Sequence, residues 1–212
     1  MLADYDPISR QKRQRSSVKH SCTFHSSFSG HSARHKARVR TGCLLIAAGI
    51  AAVSLVLIYQ PVKIVGNSMT PLLSDHEAIV INRLVYHFEP IHRDEVVVFR
   101  YPLDASQSFI KRVVGLPGET VQIRRGFVYV NGNCVPEPYI PSQYVDPSDF
   151  GPIQVPSGSY FVLGDRRNSS NDSRVFGTVA RRLIEGRAAF AYWPIDHFGL
   201  LSTMRTTEAK AK

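Results

Sequence analysis

The chain has 212 residues, enough for about one to one and a half ordinary domains, and 43% of them are hydrophobic, with 14 glycines and 13 prolines. That composition excludes a minimal peptide, a large multidomain machine, an acidic disordered solvator and a collagen-like repeat. Twenty-six Lys and Arg against 17 Asp and Glu leave a formal charge of +9, which invites a nucleic-acid reading until the charge is located along the chain.

The charge lies at one end. Residues 1–40 hold nine basic side chains against Asp4 and Asp6, a net of +7, and the other 172 residues carry only +2. The same segment has eight serines and four histidines and no apolar period of a helix or strand. Such a composition cannot bury enough surface to offset its ordering entropy, so residues 1–41 read as a disordered basic tail.

An uncharged run from Thr41 to Val62 follows. Its apolar part, Cys43 to Tyr59, spans about 17 residues, or roughly 25 Å of helix, and with its flanks it reaches across a hydrocarbon core of roughly 30 Å. A buried core helix usually keeps a polar stripe, whereas here only Ser54 is polar. A cleavable secretory signal has a much shorter basic segment and an apolar stretch of only ~7 to 15 residues. Residues 42–62 therefore read as a retained transmembrane signal anchor. Short flanks rich in Lys and Arg stay in the cytoplasm, which places the tail inside, a single pass through the cytoplasmic (inner) membrane, and residues 63 onward outside. Cys22, Cys43 and Cys134 then fall in three compartments, so no intramolecular disulfide is available. Cys134 is either a plain loop cysteine or an isolated thiol nucleophile without a His or Asn signature.

Residues 63–200 read as a β-rich domain of antiparallel sheets, followed by a flexible tail over 201–212. Strand-like runs occur at Ala78–Ile81, Val96–Phe99, Phe109–Val114, Thr120–Ile123, Phe127–Val130, Tyr160–Leu163 and Arg187–Tyr192. Asn131-Gly132 after Phe127–Val130 predicts a type I′ hairpin, because both central residues need positive φ. Residues 133–158, rich in Pro, Ser, Gly and Asp, read as a long surface excursion. No internal repeat and no long amphipathic helix is found.

No metal site is legible: there is no HExxH and no CxxC, and His76, His87, His92 and His197 are scattered without ligand spacing. No GxSxG elbow marks a serine either. The lysines are more informative. Between Ile64 and Ala209 there are thirteen arginines and one lysine, Lys111, inside Ser108-Phe-Ile-Lys-Arg-Val-Val-Gly-Leu-Pro-Gly118. Arginine stays protonated, whereas a desolvated lysine can lose its proton and act as a base; an arginine-biased composition and a surface-facing strand residue account for the census equally well. Ser68, in Gly66-Asn-Ser-Met-Thr-Pro71, is a turn serine or a nucleophile that would need such a base. Gly164-Asp-Arg-Arg-Asn-Ser-Ser-Asn-Asp-Ser-Arg174 is a polar loop or a hydrogen-bonded layer that orients a base.

Together these three segments resemble the bacterial type I signal peptidases, membrane-anchored serine proteases with a Ser/Lys dyad. SMTP resembles the family's S-M-x-P box, FIKRVVGLPGE its lysine box, and GDRRNSSNDSR its G-D-N-R-x-x-S-x-D-S-R box. The likeness runs over about residues 42–199, including the closing GRAAFAYWP stretch from Gly186 to Pro194, and leaves the tail outside. It implies that Ser68 is the nucleophile, with its backbone N–H as one oxyanion donor, and that neutral Lys111 is the general base. It implies that Ser170 hydrogen-bonds the Lys111 amine, that Asp172 and Arg174 form an ionic scaffold, that Arg112 pairs with Asp165, and that Met69 sits beside the pocket for the small residue before the cut. The expected partners are preproteins with small residues at −1 and −3 and the phospholipid bilayer, with no nucleic acid, no cofactor and no second subunit. A dedicated conjugation or pilin-maturation peptidase of the same fold is the alternative, and a repressor-type Ser/Lys self-cleaving protein a more distant one. Two positions depart from the family pattern: Gly66 stands where many members carry a hydroxyl oxyanion donor, and Arg166 stands where the box usually has Asn.

Overall fold

The computed structural model describes residues 30–201, with side chains from Arg40 onward except that of Leu57. Most of the tail and most of residues 201–212 lie outside the described residues. The chain divides into two compact units, residues 1–48 and 49–212. In the first, residues 30–48 are helical; in the second the helix runs on to Ile58, so that α1 spans Gly30–Ile58. Its described large apolar side chains, among them Leu44, Ile46, Ile50 and Val56, are exposed up to Val56, and Ile58 at its end is half-buried. Among the described residues no helix is long and apolar enough to cross a membrane.

Both ends of α1 differ from the sequence reading. The helix begins at Gly30, inside the segment read as disordered tail; Ala, Lys and Arg between positions 33 and 40 are good helix formers, and extending a helix that is already nucleated costs little per residue. It also stops at Ile58, short of Val62. Tyr59–Lys63 instead forms strand β1, paired antiparallel with β2 (Ala78–Asn82) from Tyr59↔Asn82 to Lys63↔Ala78. Pro61 is tolerated there because β1 is an edge strand and needs no donor on its open side.

The remaining strands are β3 (Val96–Tyr101), β4 (Asp104–Gly115), β5 (Thr120–Arg124), β6 (Phe127–Val130), β7 (Asn133–Cys134), β8 (Phe150–Gln154), β9 (Ser159–Leu163), β10 (Val179–Ala180), β11 (Ile184–Trp193) and β12 (Gly199–Leu200). All pairings are antiparallel. The larger sheet runs β1-β2-β11-β3-β4-β9-β10 with β12 on β11, and the smaller runs β7-β6-β5-β8. Each of the seven runs read as strands is part of a strand. Asn131 and Gly132 have φ of 51° and 82°, joining β6 to β7 through the expected turn. The 133–158 segment is not wholly a loop: β8 lies within it and pairs with β5, an assignment its Gly-Pro pair obscured.

Val96–Phe99 and Ile110–Gly115 are buried at every position, so β3 and β4 are covered on both faces and read as continuous apolar runs. Alternation sends Val96, Val98 and Ile110 into one core with Leu73, Ile79 and Ile81, and Val97, Phe99 and Val113 into a second with Tyr160, Val162 and Val179. Lys111 and Arg112 lie in the middle of this doubly covered stretch.

Candidate active site

Ser68 sits in a loop that closes on itself between β1 and β2. The Ile64 N–H donates to the Glu77 carbonyl at 2.7 Å and the His76 N–H to the Ile64 carbonyl at 3.1 Å, pinning the base of the loop. Within it, the Asp75 carboxylate accepts from the Gly66 N–H at 2.8 Å, and the Asn67 side-chain oxygen accepts from the Asp75 N–H. The Gly66 N–H is the largest cause holding the Asp75 carboxyl below its ordinary value. Gly66 has φ of +96°, a conformation that a residue with a Cβ rarely adopts. On the far side, the Arg166 N–H donates to the Ser68 carbonyl at 3.1 Å. Ser68 is half-buried, and its own N–H has no intramolecular acceptor among the described residues.

Lys111 comes from β4, 43 positions further along the chain, and its Nζ lies 2.7 Å from Ser68 Oγ. Nζ also donates to the Ile110 carbonyl at 2.9 Å and stands 5.3 Å from the centre of the Phe109 ring. The residue is 4% exposed. Burial pushes its ammonium down to about 8, against an upward pull from Asp172 and Asp165. A neutral amine in this position has an N–H for Ile110 and a lone pair for the serine hydroxyl, which is the arrangement a general base requires.

The 164–174 segment packs behind both groups. Arg112 donates from Nε and Nη2 to the two oxygens of Asp165, the first at 2.8 Å, and both side chains are buried. Asp172 is fully buried; it accepts from the Gly164 N–H at 3.1 Å and from Arg174 Nε and Nη2 at 2.9 Å each. A Cβ on Gly164 would lie 2.1 Å from Ser170 Oγ and 2.6 Å from the Ser68 carbonyl oxygen, so only glycine lets the two segments approach this closely.

Ser68, Lys111, Arg112, Asp165, Asp172 and Arg174 are thus brought together, but two expected placements differ. Ser170 does not hydrogen-bond the lysine: its buried hydroxyl has no partner among the described residues and lies against Gly164. The physical reason is that the Lys111 amine turns back onto the Ile110 carbonyl and Ser68. Met69 is 1% exposed and belongs to the core with Ile64, Leu73 and Ile79, so it presents no wall to solvent. Of the two departures from the family pattern, Arg166 contributes its backbone to Ser68, while its guanidinium stands 5.5 Å from the Tyr144 ring. Cys134 is exposed on β7. Among the described residues no three His, Cys, Asp or Glu side chains gather as they would around a metal ion.

Sequence reasoning missed the contribution of the 133–158 segment. Glu137 chelates Arg167, with Nη1 donating to Oε2 at 2.7 Å, and Asp146 accepts from Arg174 Nη1 at 2.9 Å. Arg167 Nε in turn donates to the Gly164 carbonyl. A surplus of acids in a segment read as a loop, facing a neighbouring box with a surplus of arginines, was the one available signal.

Residues 38–193 match the family model described as signal peptidase, peptidase S26. A protein of Synechocystis named probable signal peptidase I-1 is 36% identical over 176 residues, covering 79% of this chain and 88% of that relative. A signal peptidase I of Leptolyngbya laminosa is 42% identical over 146 residues, 64% of this chain and 70% of the relative. A crystal structure of a signal peptidase I from Enterococcus faecalis V583 aligns with a TM-score of 0.44 and 34% identity, covering 48% of this chain and 98% of that one.

Proposed function

The chain belongs to the peptidase S26 family of signal peptidases, and from that premise we propose that Ser68 and Lys111 carry out its chemistry. It is a serine endopeptidase that removes signal peptides from secreted preproteins. The family match and the named relatives give no support to a pilin-maturation peptidase or a self-cleaving repressor.

The observation that carries the mechanism is the 2.7 Å contact between a half-buried serine hydroxyl and a buried lysine amine. Ser68 Oγ attacks the scissile carbonyl while its proton passes to neutral Lys111. The Ser68 N–H, which has no other acceptor among the described residues, stabilises the oxyanion. Collapse of the intermediate breaks the peptide bond, and the lysine ammonium protonates the departing amine. Lys111, neutral again, deprotonates the water that hydrolyses the acyl-enzyme, freeing the signal peptide carboxylate and Ser68. Arg112, Asp165, Asp172 and Arg174 hold this geometry. Gly66 offers no hydroxyl, so the second oxyanion donor is a backbone or remote group.

Substrate selection is proposed to follow from the edge of β4. That strand pairs with β9 only from Arg112 to Gly115, while its stretch from Asp104 to Ile110 pairs with β3 alone. An extended preprotein segment can add to this open edge and end at the dyad. Alternation then puts the −1 and −3 side chains on one face, where small residues fit.

We further propose that the uncharged residues 42–62 anchor the enzyme in the cytoplasmic membrane, with the basic tail inside and the peptidase domain outside. The uncharged Thr41–Val62 run, the exposed apolar side chains of α1 and the charge step from +7 to +2 support that placement. The test is cleavage of an Ala-x-Ala preprotein in detergent, with the cut mapped by mass spectrometry. Wild type cuts after the second Ala, and Ser68→Ala and Lys111→Ala abolish cleavage while remaining folded. Full activity in either variant overturns the dyad.

A further inference from the structure

The polar layer behind the dyad has a keystone outside the three boxes. A short route links the two reactive groups: Lys111 is bonded in the chain to Arg112, Arg112 is paired with Asp165, and the next residue, Arg166, holds the Ser68 carbonyl. Any displacement of Arg112 or of residues 164–167 therefore changes the Ser68–Lys111 distance directly. Both sides of this route are gripped by one tripeptide, Glu137-Pro138-Tyr139. The Tyr139 ring lies 4.1 Å from the Arg112 guanidinium carbon, and its burial pushes the phenol well above its ordinary value, so the hydroxyl stays a donor. That hydroxyl reaches Glu137 Oε1 at 3.1 Å and Asp94 Oδ1 at 3.3 Å. Glu137, 9% exposed at its side chain, takes both Nη groups of Arg167, whose side chain is 4% exposed. Arg167 passes the constraint on through Nε to the Gly164 carbonyl, and its N–H donates to the Asp165 carbonyl.

We propose that Glu137 and Tyr139 are positioning residues for the peptidase reaction, setting the Ser68–Lys111 geometry through Arg167 and Arg112. The proposal rests on the Ser/Lys reading. A buried charge separates it from ordinary scaffolding: Glu137 balances Arg167, so its neutralisation leaves an uncompensated buried guanidinium on the Gly164 carbonyl, where the 164–174 segment meets Ser68. The charged groups acting on Lys111 are Asp165 and Asp172, and those facing Glu137 are Arg167 and the Tyr139 hydroxyl.

The experiment measures kcat, KM and their pH profiles for preprotein cleavage by the full chain in detergent, scaled to the fraction folded by circular dichroism. Glu137→Gln lowers kcat roughly ten- to a hundredfold with KM nearly unchanged, and leaves the acid limb where burial, Asp172 and Asp165 set it on Lys111. Tyr139→Leu lowers kcat similarly, whereas Tyr139→Phe, which keeps the ring over Arg112, recovers most of it. If Glu137→Gln and Tyr139→Leu lower only the melting temperature, with kcat of the folded protein as in wild type, the two residues are structural and the proposal falls. If wild type itself leaves the preprotein uncut, the dyad reading falls first and the proposal with it.

Discussion

The two halves of the proposed dyad are built in opposite ways. Lys111 lies in a strand covered on both faces and is 4% exposed, whereas Ser68 is half-buried in a loop tied mainly to itself through Asp75, Asn67 and Glu77. The difference follows from what each group must do. A base has to lose its proton near neutral pH, which takes desolvation, and a sheet interior supplies that. A nucleophile has to meet a large extended substrate, which takes an accessible site, and a loop fixed at its base supplies that. The 164–174 segment connects them, holding the Ser68 carbonyl through the Arg166 N–H and pairing Asp165 with Arg112, the neighbour of Lys111.

The largest expected effect breaks the lysine side. Lys111→Arg keeps a cation and length but removes the only neutral amine, so cleavage falls to the level of Lys111→Ala. In wild type, kcat/KM rises with pH through about 8, because only the neutral amine accepts the Ser68 proton, and levels off above it. The same depression means that the unfolded chain binds more protons than the folded one above about pH 8, so the melting temperature rises with pH there until an ordinary lysine deprotonates. A Lys111→Met variant loses that rise.

The next effect strikes the contact between the two regions. Gly164→Ala places a methyl group where Ser170 Oγ and the Ser68 carbonyl already stand. Forcing them apart lowers kcat about a hundredfold, measured on protein whose circular dichroism matches wild type. Smaller still is the loop's own tie. Asp75→Ala leaves the Gly66 N–H without its acceptor and loosens the serine side alone, so kcat drops several-fold while the acid limb stays at its wild-type pH. The smallest effect is at Arg166. Its backbone N–H holds Ser68 whatever the side chain, so Arg166→Asn keeps kcat within about twofold of wild type.

Much of this was legible in one dimension. Runs such as Val96–Phe99 and Phe109–Val114 show buried strands because continuous apolar residues with no turn signals have few other outcomes. Asn131-Gly132 shows its turn because positive φ at both positions is a local steric matter. The pairs Arg112–Asp165 and Asp172–Arg174 were implied by resemblance to a family rather than by spacing. What stayed hidden was non-local. β1 was absorbed into the apolar run because Tyr59-Gln-Pro-Val62 carries no charge, and only pairing with β2 makes it a strand. Ser170 was expected on the lysine because the family box suggests it; the turn of the amine onto Ile110 depends on atoms that no motif encodes.

The sequence by itself therefore determined seven strand runs, the hairpin and the charge step at the apolar run, since each depends on neighbouring residues, and through resemblance to a family it singled out the serine and lysine proposed as the reactive pair. Only the tertiary structure decided that Lys111 is buried beside Ser68, that Gly164 is the point of closest approach, and that Glu137 and Tyr139 reach Arg167 and Arg112 from a segment that reads as surface. Burial and ion pairing depend on which distant residues arrive at the same place, and that is settled when the sheets assemble.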